Sequence, residues 1–169
     1  LIQSVESRVA FKATDIRGMP SKVSGDILDS KGKWVIKFSS VHDGMGYFFL
    51  IPSISESYTA KWKDEKGKEY STPLPEIKKE GYALQISDAP EKKIFLVTAD
   101  SNTVQNAPVV HIIGTMNQYL AFKVSKNLSA GPVKGVIPTG GLPSGILTIT
   151  LFDDKWVARA ERVTYINND

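Results

Sequence analysis

The chain has 169 residues, enough for one large domain or two small ones, and its 41% apolar and 23% charged residues are a globular composition. Formal net charge is +3, and lysines alternate with acids, as in Lys61-Trp62-Lys63-Asp64-Glu65-Lys66, so no concentrated cationic face marks a nucleic-acid partner. There are no cysteines, which excludes disulfides, thiolate metal sites and a cysteine nucleophile. No apolar run approaches the ~20 residues of a membrane-spanning helix, so no transmembrane segment is expected. The chain begins at Leu1-Ile2, without an initiator Met or a signal-type segment, and is expected to be a piece of a longer protein.

Ser7 to Ala13 alternates apolar and polar residues, the pattern of a half-buried strand with Val9 and Phe11 on one face. Asp15 to Pro20 is a turn. Val23 to Leu28 is a second strand, and Asp29-Ser30-Lys31-Gly32-Lys33 is a polar hairpin loop with Gly32 suited to the left-handed position. Trp34 to Phe38 runs back, and alternation puts Trp34, Ile36 and Phe38 on one face. The run His42-Asp43-Gly44-Met45-Gly46 reads as a structural corner before the strand Tyr47 to Ile51, because glycine tolerates the positive φ that such corners need. Ser57 to Lys63 and Glu69 to Leu74 flank a second polar loop, Asp64 to Lys68, and Tyr82 to Ile86 is a seventh strand. Seven short strands at this spacing predict a β-sandwich over residues 1–87.

Asp88-Ala89-Pro90-Glu91-Lys92 is short and polar, with a proline, and is expected to be a stiff linker over 88–92. A second sandwich is expected over 93–169. Its strands are Lys93 to Thr98, Val109 to Gly114, Tyr119 to Val124, Val133 to Ile137, Ile146 to Phe152 and a long, bulged Trp156 to Ile166. No helix with a cap and a 3.6-residue period is expected in either half. The fold class predicted is all-β, two tandem Ig-like antiparallel β-sandwiches.

The order of features in the first half carries a resemblance. Arg8-Val9-Ala10-Phe11-Lys12-Ala13 is followed by Val23-Ser24-Gly25, Asp29-Ser30-Lys31-Gly32, His42-Asp43-Gly44-Met45-Gly46, Tyr58-Thr59-Ala60-Lys61 and Leu74-Pro75. This resembles the macroglobulin-type β-sandwich domains of bacterial alpha-2-macroglobulin-related and outer-membrane receptor-associated proteins. In the second half, Leu142 to Thr148, Leu151-Phe152-Asp153 and Ala160-Glu161-Arg162-Val163 look like the closing hairpin of the next such domain. The resemblance implies a non-catalytic spacer or scaffold module of a larger cell-envelope protein, extracytoplasmic and either periplasmic or associated with the outer membrane. Its partners are then the neighbouring domains of the parent chain. The cysteine-containing thioester of full macroglobulins has no counterpart in a chain without cysteine.

Candidate chemistry is sparse. His42 and Asp43 are suitable metal or acid–base groups, but three or four ligands are needed and the other histidine, His111, lies in the second half. Asp43 before Gly44 reads as a turn residue, and His111, between Val110 and Ile112, falls on the polar face of its strand. Gly141-Leu142-Pro143-Ser144-Gly145 has one residue too many for a nucleophile elbow. The pairs Asp64-Glu65 and Asp153-Asp154 read as solvated turn residues. No enzyme activity, cofactor or metal is expected. Trp34 and Trp62 are assigned to the core, and Trp156 to either core or surface. The alternative function is a ligand-binding module for a glycan or a peptide, through sandwich loops or an edge strand, with Tyr119, Trp156 and Tyr165 as the candidate ligand surface.

Overall fold

The computed structural model describes residues 1–168 and is built almost wholly of antiparallel strands. The chain divides into two compact units, Gln3–Lys79 with Leu1, and Glu80 onward with Ile2.

The first unit has six strands: β1 (Ser7–Lys12), β2 (Val23–Leu28), β3 (Trp34–Ser39), β4 (Met45–Leu50), β5 (Thr59–Asp64) and β6 (Glu69–Pro73). Four form one sheet in the order β3-β2-β5-β6, and β1 and β4 form a separate pair. Alternation sends Val9 and Phe11 of β1, Phe48 and Leu50 of β4, Ile27 of β2, Phe38 of β3 and Ala60 of β5 into one core between the sheets. The result is a β-sandwich with one sheet of four strands and one of two.

The second unit has seven strands: β7 (Tyr82–Ala89), β8 (Lys92–Ala99), β9 (Val109–Met116), β10 (Tyr119–Asn127), β11 (Val133–Pro138), β12 (Gly145–Phe152) and β13 (Ala158–Ile166). A three-stranded sheet, β11-β8-β7, faces a four-stranded one, β10-β9-β12-β13. Leu84, Phe95, Val97, Val110, Ile112, Leu147, Ile149 and Leu151 are fully or almost fully buried between them. Among the described residues one six-residue helix, α1 (Ser101–Asn106), joins β8 to β9 and corrects the expectation of no helix. Asp100 caps it, its carboxylate accepting from the amides of Asn102 and Thr103.

The domain boundary read from the sequence is also corrected. Residues 88–92 are the tight turn between β7 and β8, whose register runs from Tyr82↔Ala99 to Ala89↔Lys92. Pro90 and Glu91 close that hairpin, with Glu91 at φ 55°. The strand assigned as the seventh of the first sandwich therefore belongs to the second. The passage between units lies near Lys79-Glu80.

One turn is used repeatedly, and it sets the register of the β2–β3, β5–β6 and β12–β13 hairpins. Asp15, Asp29, Asp64 and Asp153 each open a five-residue turn in which a carboxylate oxygen accepts from the amides two and four residues on, at 2.8–2.9 Å. In each the fourth residue donates its amide to the aspartate carbonyl. That fourth residue has positive φ: Gly18 82°, Gly32 76°, Gly67 78° and Trp156 60°. Glycine meets this at three of the four positions, as the left-handed conformation demands.

Alternation misplaces Trp34. Leu28 pairs with Trp34 while Ile27 pairs with Ile36, so Val35 is an extra residue in the ladder. That bulge turns Trp34 to the outer face, where it is 59% exposed and its indole N–H donates to Asp26 at 3.0 Å. Trp62 lies on the inner face but half-covered, stacked on Tyr70 at 4.3 Å with its N–H on Thr72 at 3.0 Å.

The corner before β4 is a two-residue turn, Asp43 and Gly44, with φ 44° and 72°. Met45 returns its amide to the carbonyl of His42 at 2.8 Å. A Cβ on Gly44 would stand 2.2 Å from the Ala13 carbonyl oxygen. Gly44→Val is expected to lower stability by more than the ~1 kcal/mol of an ordinary glycine substitution, because strain and collision add. A urea midpoint unchanged from wild type would show that the corner does not constrain the fold.

Candidate functional site

The three aromatics assigned as a ligand surface are all exposed, Tyr119 at 79%, Trp156 at 46% and Tyr165 at 53%. They are not brought together. Tyr119 sits on β10 and Tyr165 on β13, the two edges of one sheet, separated by β9 and β12. Three strand spacings are roughly 14 Å. Trp156 lies in the turn after Phe152, whose row is Ser125–His111–Phe152, whereas Tyr165 pairs with Ile146 six residues away along β12. The three do not form one stacking platform.

Trp156 instead builds a cluster of its own. His111 faces outward on β9, as its alternation with the buried Val110 and Ile112 requires. Its ring lies parallel to the indole of Trp156, centroids 4.1 Å apart and planes 4° from parallel. Nδ1 of His111 is 2.7 Å from the hydroxyl of Ser125, and Lys123 places its ammonium 4.5 Å from the Trp156 ring centroid. Trp156 therefore is not the first residue of the last strand; it occupies the left-handed slot that glycine fills in the three equivalent turns. The slot aims the indole back over the sheet.

The turn beneath it is anchored by a buried charge. Asp153 is 2% exposed, which corrects its assignment as a solvated turn residue. One carboxylate oxygen accepts from the Lys155 and Val157 amides, and the other from Arg159 Nε at 2.8 Å and an Arg159 terminal nitrogen at 2.7 Å. Burial works to raise its pKa, but the bonds from Val157, Arg159 and Lys155 outweigh it and hold the carboxyl below its ordinary 3.8.

In the first unit the two-stranded sheet carries a second candidate. Antiparallel pairing with Ala13 N–H on the Gly44 carbonyl, at 2.9 Å, fixes which residues of β1 bond to β4. Odd-numbered residues face β4, so the amides and carbonyls of Arg8, Ala10 and Lys12 point to the opposite edge. Among the described residues no other strand pairs with that edge, and just past β1 Thr14 forms an isolated bridge with Pro20. Beside it runs a groove of about 420 Å³. Val9 to Thr14 form one rim, Thr72 to Pro75 the other, and Phe38, Phe48, Ala60 and Trp62 the floor. On the outer face of the pair, Met45, Tyr47, Phe49 and Ile51 are all exposed, and the Arg8 guanidinium lies 3.9 Å over the Tyr47 ring.

His42 is 3.1 Å from the Asp43 carboxylate, both well exposed at the corner. Among the described residues no three histidine or acidic side chains gather as a metal-ligand set. The β1 groove lay outside the sequence reading, because the alternation of β1 shows which face is buried and not which edge is unpaired.

The chain matches no known family model and no curated protein. Among solved structures it is similar to one described as "Biofilm associated protein - BSP domain", at 14% identity and a TM-score of 0.42, over 99% of this chain and 28% of that one. It is similar to "The Bacillus anthracis TIE protein" at 16% identity and a TM-score of 0.29, over 96% of this chain and 32% of that one. The chain thus spans less than two thirds of either. Likenesses of this size carry no argument about function.

Two outcomes are expected at the Asp153 turn. Trp156→Gly should be about 1 kcal/mol more stable than Trp156→Ala, since both lose the stack but only glycine relieves the left-handed backbone. Equal denaturation midpoints would show that the turn does not impose the strain. Asp153→Asn should cost about 1–3 kcal/mol at pH 7, where the carboxylate bonds are present. The folded pKa is depressed, so this contribution is full above the ordinary 3.8 and is lost as pH falls through the folded value. The gap between variant and wild type should therefore shrink at low pH; a constant gap from pH 7 to pH 2.5 would remove the charge from the argument.

Proposed function

We propose that the chain is a non-catalytic structural module, a spacer that holds neighbouring domains of a longer cell-envelope protein. The observation that carries this reading is the way two sandwiches follow one another along the chain. Each has its own core. Lys78 is bonded within the first unit, its amide to the Leu1 carbonyl and its carbonyl to the Gln3 amide, both at 2.9 Å. Gly81 is bonded within the second, donating to Asp100 at 2.8 Å and Thr103 at 2.9 Å. Only Lys79 and Glu80 lie between these anchors. Serial β-sandwiches with so little chain between them suit a module that sets distance.

The finer reading, that these are macroglobulin-type domains exposed in the periplasm or at the outer membrane, is supported by the motif order from Arg8-Val9-Ala10-Phe11 through His42-Asp43-Gly44-Met45-Gly46 to Leu74-Pro75. The partners are then the flanking domains. The absence of catalytic turnover belongs to the same proposal. His42 is set beside Asp43 at an exposed corner, and His111 is engaged by Ser125 and Trp156, so neither is held against a nucleophile in a cleft.

The test is an immunoblot of fractionated native cells, using an antibody raised against the chain. A band much larger than 18.6 kDa in the envelope fraction is expected. A soluble band at 18.6 kDa would overturn the spacer reading.

A further inference from the structure

The first unit is one strand short. Both units set a four-stranded sheet against a smaller one, but the smaller sheet has three strands in the second unit and two in the first. The space for a third strand beside β1 is the groove described above. Its floor is core side chains, so an extended segment lying there would complete the sandwich rather than merely touch it. Its length, along Val9 to Thr14, is about 20 Å.

We propose that the free edge of β1 receives an extended peptide strand from another chain, by β-strand addition, and that this strand carries carboxylates opposite Arg8 and Lys12. The backbone ladder comes from the outward amides and carbonyls of Arg8, Ala10 and Lys12. Side chains that directly oppose one another share a face. Residues opposite Val9 and Phe11 therefore enter the groove and must be apolar. Residues opposite Arg8 and Lys12 lie on the outer face beside two cations, four residues apart. The residue between them meets only the methyl group of Ala10 and is unrestricted. The strand recognised reads acidic, apolar, any, apolar, acidic.

The same two cations select against a second copy of this chain. Antiparallel self-pairing centred on Ala10 would set each Arg8 opposite a Lys12, a like-charge juxtaposition that destabilises a sheet. The edge is thus closed to itself and open to an acidic partner. This inference does not depend on the spacer reading, since a module that sets distance and an autonomous protein could each carry the groove.

The experiment uses the full chain and two capped synthetic nonapeptides, identical except at two positions: one contains Glu-Val-Thr-Val-Glu, the other Lys-Val-Thr-Val-Lys. Binding is followed residue by residue through amide chemical shifts. The glutamate peptide should move the amides of Arg8, Ala10 and Lys12 and the indole N–H of Trp62, and saturate. The lysine peptide should bind at least about tenfold more weakly, since two cross-strand charge pairs change sign. The double variant R8E/K12E changes only exposed side chains and should reverse the preference. Ala10→Pro should abolish binding, because it removes an edge amide that β4 does not use.

Shifts absent from β1 with either peptide would overturn the proposal. So would equal binding of the two peptides, or undiminished binding to a folded Ala10→Pro variant. Sedimentation of the free protein as a dimer that Ala10→Pro converts to monomer would assign the groove to a second copy instead.

Discussion

The structure depends on how an aspartate closes a turn. A carboxylate that accepts two amides, two and four residues on, fixes five residues at once and determines which residues of the flanking strands face each other. Asp29 does this for β2 and β3, Asp64 for β5 and β6, and Asp153 for β12 and β13. Asp15 does it in the passage from β1 to β2. A slip of one residue would send each core face to solvent. The apolar contacts made by β2, β3, β5, β6, β12 and β13 therefore presuppose these turns. The pKa values of Asp15 and Asp64 lie below the ordinary value for the same reason as that of Asp153; for both, the largest cause is the amide four residues on.

Cross-strand pairing then fits aromatic rings over glycines. Phe11 pairs with Gly46, Phe122 with Gly114 and Phe95 with Gly135. A Cβ on any of these glycines would fall within about 2.4 Å of the facing ring. Rings laid over bare backbone cover it and fill the volume a side chain would have taken. Gly25 is needed for a different reason: a Cβ there would stand 2.1 Å from the Lys61 carbonyl oxygen and 2.7 Å from the Trp62 Cα, so the neighbouring backbone itself takes the space. This accounts for glycines in the middle of strands, where chain entropy alone would oppose them.

What could be read from residues was local. Alternation and turn chemistry located the strands, because strand burial has a period of two and the turns carry Asp and Gly at fixed offsets. Trp34 was misplaced because one extra residue, Val35, reverses the parity, and no composition signal marks it. The linker was misread because Asp88 to Lys92 has the polarity of a connector and of a hairpin turn alike. Trp156 could not be assigned to a glycine slot until the backbone showed the repeated turn, though the shared Asp at its start was a usable signal. The groove beside β1 was the least legible feature. It is defined by a neighbour that β1 lacks, and a strand's own sequence does not record who pairs with it.

The pairing of β1 also closes over a long stretch of chain. Asp29 and Asp64 close their hairpins over a few residues, whereas β1 meets β4 only after a loop from Lys12 to Met45 has closed. Closing that longer loop costs more chain entropy, and only one ladder rewards it. A closure of the same order, from Leu28 to Thr59, joins β2 to β5, but β5 has a second ladder, to β6, while β1 has its ladder with β4 alone. When β1 leaves, it exposes the β4 edge and the Phe48 side of the core together. The first unit thus has one wall held at its edge by a single ladder.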